Sequence, residues 1–314
     1  MKKLTALLLA LVMVLSLAAC GSSEPAATDA PAAEAPAATD APAATEAAKD
    51  FSEMTIDELK PLIETITEGK LTMVTSPDFA PYEFYALDEA GNPSLAGFDI
   101  ALGKYIADFI GLELEVIPMD FDGTITELGM GSADIGMAGY SPDPEREKAM
   151  SFSKVYYTGG QSFVCHMDNK DAFTALADAN KAEYQIGAQI GSIQADLANA
   201  NTPDADIVEL SKVTDIIAEV IAGKLDGAFI ETVVAETYAK NYPELCVVLP
   251  VPYDAEGSVV GVNRTNEALL AAVNLAIDAA LADGSMSAFV AEANELSTGE
   301  KYEGLLEGGA VPEA

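Results

Sequence analysis

The sequence predicts an α/β fold built as two successive units, and three observations carry that prediction. Apolar runs of strand length alternate with segments of helical spacing from Lys70 to Ala138, the pattern of a sheet flanked by helices. The same alternation resumes at Tyr184 and continues to Asn263, so a second unit of the same kind follows. The chain has 314 residues, half of them hydrophobic, which suffices for two packed cores of ordinary size.

Each element follows from local pattern. Residues 55–68 have helical spacing, with Leu59, Leu62, Ile63 and Ile66 on one side, Thr55 or Asp57 as cap, and Gly69 as the stop. Residues 70–75 read as a strand, and a turn over 88–93 precedes a helix from about Asp99 to Ile110. Leu112, Leu114 and Val116 alternate with glutamates as a half-buried strand. A helix starts near Gly123, and residues 132–138 enter a buried strand, completing a sheet expected to be largely parallel. In the second unit, 184–188 is a short strand and Gly191-Ser192 opens a helix. Helices at 213–222 and 232–242 then flank a strand at 225–231. Residues 258–263 read as a strand, followed by helices around 267–282 and 286–294. From Ser297 the chain is acidic and glycine-rich, and 301–314 is expected to be a flexible tail.

The N-terminus reads differently. Lys2 and Lys3 precede an apolar run from Leu4 to Leu17 that is short for a membrane-spanning helix and reads as a secretory signal. Its end, Leu17-Ala18-Ala19-Cys20-Gly21, resembles the lipobox of bacterial lipoproteins, which makes 1–20 a signal peptide and Cys20 the lipidated residue. Residues 21–50 are almost entirely Ala, Pro, Thr, Ser, Asp and Glu, a composition that cannot bury enough apolar surface to fold. They are expected to be a disordered linker reaching on the order of tens of ångströms from the membrane. The protein is therefore expected outside the cytoplasm, anchored by lipid to the cell membrane.

Charge and cysteines exclude several classes. Fifty-one acidic residues face 16 basic ones, a formal net charge of -35. That excludes nucleic acid as a partner, because phosphate contacts require Lys and Arg. It equally disfavours electrostatic docking on anionic lipid. The acidity reads as a solubilising surface, and a monomer is expected. Cys165 and Cys246, both in apolar strand-like stretches, read as free buried thiols, with one disulfide as the alternative. With a single histidine, His166, and no Cys-x-x-Cys pair, no metal is expected, nor any cofactor.

The motifs occur as ordered blocks: Thr75-Ser76-Pro77-Asp78-Phe79-Ala80-Pro81-Tyr82-Glu83-Phe84, Gly97-Phe98-Asp99-Ile100, and Pro118-Met119-Asp120-Phe121-Asp122-Gly123. Ala138-Gly139-Tyr140-Ser141-Pro142-Asp143-Pro144-Glu145-Arg146 follows, then Ser151-Phe152-Ser153 and Tyr156-Tyr157-Thr158-Gly159-Gly160-Gln161. In this order they resemble the family 3 solute-binding proteins of bacterial polar-amino-acid ABC importers, and the resemblance extends to about Ala291. It implies a two-lobed fold of the periplasmic-binding-protein type II, with a hinge and a ligand cleft between lobes. Lobe 1 would comprise 51–163 plus 259–300, and lobe 2 would comprise 164–258. It implies binding of a free amino acid by cleft closure and delivery to ABC permease subunits, without enzyme activity. Two alternatives share the fold: an exported dehydratase acting on prephenate or arogenate, and a ligand-sensing module for a receptor kinase.

The residue chemistry suits that implication. Arg146 can grip a carboxylate with two parallel charge-assisted bonds. It lies inside a helix start announced by Ser141-Pro142-Asp143-Pro144, where backbone N–H groups also favour an anion. Standing alone, Arg146 reads equally as a surface partner of Glu145 or Glu147. The resemblance assigns Arg146 to the ligand carboxylate, and the Gly139 carbonyl and Ser141 hydroxyl to its ammonium. Phe79 and Phe121 would sandwich the aliphatic part, and Ser76, at a position that often carries Asp, would read the side chain. Gln189, Ser192 and Ile193, around Gly191, match the loop that offers backbone N–H groups to the carboxylate. Glu231 departs from the usual Asp facing the ammonium, keeping the charge and adding a methylene.

Overall fold

In the computed structural model, which describes residues 50–87, 90–254 and 257–298, the chain forms two separate five-stranded sheets, each packed by helices. The signal segment with Cys20, the linker up to residue 49 and the tail 301–314 lie outside the described residues. The chain enters through a short helix α1 (Ile56–Leu59) and starts the first sheet with β1 (Lys70–Thr75). A hairpin of β2 (Phe84–Leu87) and β3 (Pro93–Ala96) leads into α2 (Phe98–Ile110) and β4 (Glu113–Pro118). Helix α3 (Phe121–Met130), the brief β5 (Ile135–Gly136) and β6 (Met150–Tyr157) follow. The second sheet holds β7 (Gln161–His166), β8 (Gln185–Gln189), β9 (Asp206–Leu210), β10 (Gly227–Glu231) and β11 (Leu245–Val251). Between them run α4 (Ile193–Asn201), α5 (Val213–Ile221) and α6 (Thr232–Asn241). The chain then returns to the first sheet with β12 (Ser258–Asn263) and ends in α7 (Glu267–Ala282) and α8 (Ser285–Leu296).

Each sheet is largely parallel, as expected, with four of its five strands running one way and a single strand reversed. Strand orders are β4-β1-β5-β12-β6 and β11-β7-β10-β8-β9. β1 runs parallel to β4 and β5, and β8 parallel to β9 and β10. β12 is antiparallel to both its neighbours, as is β7. These two strands enter a sheet by crossing from the other one, so no crossover helix turns them parallel to the strands they meet. The first crossing lies at residues 158–160, because β7 pairs with β10 and β11 from Gln161 onward. The lobe boundary expected after Phe163 therefore moves back by one short strand segment.

Local physics explains two further differences. The helix expected over 55–68 stops after α1 and one 3-10 turn ending at Leu62. Pro61 has no N–H to continue the α-helical ladder and crowds the preceding carbonyl. Cys165 is buried as expected, but Cys246 is only half-buried, because it stands on β11 at the edge of its sheet. The two free thiols face each other in register across β7 and β11.

The cores follow the helical and strand periodicities. In the first lobe Leu71, Met73, Leu102, Ile106, Val260, Val262, Leu269, Val273 and Ile277 are fully buried between sheet and helices. In the second, Phe163, Ile186, Ile216, Ile217, Val220 and Phe229 are equally closed off. Each such side chain contributes about 1.5–3 kcal/mol relative to exposure. These cores hold the strand ends, where the site residues sit.

Candidate functional site

The floor of the site begins at the C-terminal end of β1. Ser76 and Asp78 are both buried, and the Ser76 hydroxyl donates to Asp78 Oδ1 at 2.8 Å. Phe79 then lays its ring against Gly139. A Cβ on Gly139 would stand 2.8 Å from Phe79 Cε1, and its φ of +58° lies in the left-handed region, so only glycine fits. The Gly139 N–H donates to Asp99 Oδ2 at 3.1 Å, and Tyr156 donates to Asp99 Oδ1 at 2.7 Å. Burial pushes the Asp99 carboxyl up to about 6. Glu83, fully buried beside it, is raised well above the usual carboxylate range, by burial first and then by the Asp99 charge. Of the two carboxyls, Glu83 is the one pushed further toward its neutral form.

Arg146 sits on a three-residue 3-10 turn rather than a helix start. Asp143 Oδ1 accepts the N–H groups of Glu145 at 2.8 Å and Arg146 at 3.2 Å, so the backbone donors expected to favour an anion are already used. What Arg146 offers is its side chain. It is 8% exposed, its Nη1 donates to the Ser141 carbonyl at 3.2 Å, and its guanidinium carbon lies 5.4 Å from the Phe121 ring centroid. Nη2 donates to the Gly191 carbonyl of the other lobe at 3.1 Å. Burial lowers its pKa and Asp143 works against that, while the guanidinium remains a cation. The surface ion pair does not form: Glu145 binds Lys148 instead. Among the described residues no carboxylate comes within ion-pair distance of Arg146. Guanidinium has five donors and two are given to carbonyls, leaving capacity for a carboxylate.

The second lobe answers with two strand ends and a helix start. Ser192 caps α4: its hydroxyl accepts from the Ala195 N–H at 3.3 Å and donates to the Gln189 carbonyl at 2.7 Å. Ile193, the first residue of that helix, is also buried. Gln189, at the end of β8, donates through Nε2 to the Ser211 carbonyl at 3.0 Å and to Asp78 Oδ2 at 3.4 Å. Glu231 ends β10 and caps α6, accepting the Val234 N–H on Oε2 at 3.0 Å. Its Oε1 accepts from the Gly160 N–H in the first crossing at 3.3 Å. A Cβ on neighbouring Gly159 would stand 2.2 Å from Oε1, so that crossing must be glycine for the carboxyl to lie there. Glu231 is 5% exposed, and burial pushes its carboxyl up to about 7 despite the bonds it accepts.

The structure brings Arg146, Ser141 and Phe121 together with Gly191, and joins Ser76 to Gln189 through Asp78. Phe79 packs on Gly139 and on Tyr82, with ring centroids 5.3 Å apart, and the Glu231 charge is felt at Tyr82. Sequence reasoning did not assign Asp78, Asp99 or Glu83 a role, although all three stand inside its motif blocks. The signal was an acid among apolar neighbours in each block, which reads as a turn or helix-cap residue until burial is known. Among the described residues no group of three or more His, Cys, Asp or Glu is placed to hold a metal.

Comparison with known proteins gives the family. Residues 71–292 match the family described as bacterial extracellular solute-binding proteins, family 3. An arginine-binding extracellular protein of Bacillus subtilis is 32% identical over 202 residues, covering 63% of this chain and 76% of that one. A cyclohexadienyl dehydratase of Pseudomonas aeruginosa is 26% identical over 190 residues, 60% of this chain and 69% of the enzyme. The crystal structure of an amino acid ABC transporter substrate-binding protein from Streptococcus pneumoniae, bound to L-arginine, superposes with a TM-score of 0.71. It is 29% identical and covers 74% of this chain and 98% of its own. With the family match running through both lobes and every strand end described above, the chain belongs to the bacterial extracellular solute-binding proteins of family 3.

Proposed function

We propose that this protein binds a free amino acid between its lobes outside the cytoplasm and delivers it, closed, to the permease of an ABC importer. The observation that carries the reading is Arg146: a buried cation, without a carboxylate partner among the described residues, held by carbonyls of both lobes. A burial of this kind is costly unless an anion completes it. The ligand carboxylate is that anion, and Glu231, buried in the opposite lobe, takes the ammonium with Gly139 and Ser141. Phe79 and Phe121 enclose the aliphatic part, Ser192 and Ile193 line the carboxylate end, and Ser76 and Gln189 meet the side chain. Binding energy shared between lobes favours the closed form by differential affinity. Lipid on Cys20 would keep the monomer at the membrane beside its permease.

Relatives described as arginine-binding make L-arginine the first ligand to test. A thermal-shift screen against the proteinogenic amino acids is the decisive experiment. A ligand at about a hundred times its dissociation constant stabilises by about 2.7 kcal/mol. No shift with any of them overturns the reading.

One observation favours a second reading. Glu231, with its carboxyl pushed up to about 7, has the protonation expected of a general acid, and a dehydratase stands among the relatives. Turnover of prephenate by the purified protein, lost in Glu231→Gln, would establish that reading in place of the first.

A further inference from the structure

We propose that Asp78 is the latch of the closed form: a positioning residue of the first lobe that caps helix α5 of the second and holds the lobes together. The proposal rests on the closure reading above, but its test does not require the ligand to be known.

Helix α5 lacks a cap of its own. The residue at its N-cap position is Lys212, which makes no capping hydrogen bond with its side chain, whereas α4 is capped by Ser192 and α6 by Glu231. Lysine has no acceptor to offer the exposed N–H groups of a first turn. The missing acceptor comes from the other lobe: Asp78 Oδ2 accepts the Val213 N–H at 2.5 Å. The same oxygen accepts from Gln189 Nε2 at 3.4 Å, and the Asp78 backbone carbonyl accepts the Tyr238 hydroxyl at 3.0 Å. One residue of lobe 1 thus touches three elements of lobe 2: the start of α5, the end of β8 and the face of α6.

The carboxylate divides its oxygens between the lobes. Oδ1 takes the Ser76 hydroxyl of its own loop, and Oδ2 is given to the second lobe. The Lys212 charge is favourable to it. The residue is 6% exposed, so the contact is shielded from water and salt. Opening the lobes returns a carboxylate, a helix-end N–H and a tyrosine hydroxyl to water in one step. Asp78 also fixes Ser76, so closing the latch sets the hydroxyl that faces the ligand side chain.

The test reads lobe closure directly. Donor and acceptor dyes are attached through unnatural amino acids at Lys104 on α2 and Lys170 beyond β7, both exposed, in the full chain. Single-molecule energy transfer then gives the closed-to-open ratio without ligand and with saturating L-arginine or a mixture of the proteinogenic amino acids. A charge-assisted hydrogen bond of this kind is expected to change the ligand-free ratio about tenfold or more in Asp78→Ala. Asp78→Asn, whose amide oxygen still accepts from Val213, falls between, and it decides the matter if the alanine variant does not fold. Amide exchange inside β1 and in the later turns of α5 stays as in the parent, which separates a latch from general loosening. An unchanged ratio in Asp78→Ala, with and without amino acids, overturns the latch. A parent protein that populates the closed form but does not respond to any amino acid overturns the ligand reading while leaving the latch to the variants.

Discussion

Arg146 of the first lobe donates from Nη2 to the Gly191 carbonyl of the second at 3.1 Å, while its Nη1 holds the Ser141 carbonyl of its own lobe at 3.2 Å. One guanidinium therefore bridges the two lobes beside the Phe121 ring. Removing it should do more than delete a contact, because the ligand carboxylate would be left desolvated and unpaired. Arg146→Ala is expected to weaken binding by about 2–5 kcal/mol, most of it in the dissociation rate. Arg146→Lys should recover only part, since a single ammonium cannot give two parallel bonds and span both lobes. Calorimetry with L-arginine, or with the amino acid found by the thermal screen, measures both. An undiminished affinity in Arg146→Ala would place the carboxylate elsewhere.

Glu231 predicts a pH dependence with a definite sign. Burial raises its carboxyl from 4.5 to about 7, so in the ligand-free protein it holds a proton through most of the mildly acidic range. An ammonium is bound by the ionised form, and below pH 7 binding must therefore release that proton. Affinity should fall as pH drops below about 7, approaching tenfold per pH unit. Calorimetry at pH 6 in two buffers of different ionisation heat should show proton release on binding. Glu231→Gln should bind weakly at every pH and show no such release.

Gly139 predicts a steric result. Its φ of +58° and the Phe79 ring 2.8 Å from a modest Cβ leave a methyl group no place to go. Gly139→Ala is expected to cost about 1–3 kcal/mol of stability through backbone strain and to displace Phe79. Phe79→Leu in the same chain should return part of the stability but not the affinity. Urea unfolding with parallel calorimetry separates the two effects.

How much of this was legible in the sequence depends on the range of the interaction. β1, α2, α4 and α6 follow from patterns a few residues long, and Gly191-Ser192 announces α4 because a cap is a local event. The first helix failed at Pro61, whose local penalty was outweighed in the reading by the apolar spacing around it. β9 at Asp206–Leu210 and the β2–β3 hairpin have weak alternation and are held by their neighbours, so their own residues do not announce them. The reversed direction of β7 and β12 is a property of how sheets are entered, which no window of sequence contains. At the candidate site, the sequence offers Arg146 and Glu231 as charged side chains, and both are buried. The helix expected at Arg146 is capped by Asp143 but shortened to one 3-10 turn, because the chain enters β6 at Met150. The bond from Asp78 to Val213 spans 135 positions and was invisible for that reason.

The buried acids predict that the ligand-free protein gains stability on acidification. Asp78 and Asp99 are raised from 3.8 to about 6, and Glu231 from 4.5 to about 7. A carboxyl whose folded pKa is raised stabilises the fold fully below its unfolded value and loses that contribution as pH rises through the folded one. Tm should therefore rise between pH 8 and about 5, helped by partial relief of a net charge of -35. Glu83 and Asp99 show which groups carry the effect. Burial pushes Glu83 toward its neutral form, so the neutral amide of Glu83→Gln should shift stability at pH 7 by less than about 1 kcal/mol. Asp99 accepts the Gly139 N–H and the Tyr156 hydroxyl, both of which lose their acceptor in Asp99→Ala. That variant should cost about 1–3 kcal/mol for each buried donor left unpaired. It should also lower affinity, because Gly139 is then no longer held against Phe79. A Tm that falls steadily from pH 8 to 5, or an Asp99→Ala as stable as its parent, would show that these acids are solvated in the folded protein rather than buried beneath the site.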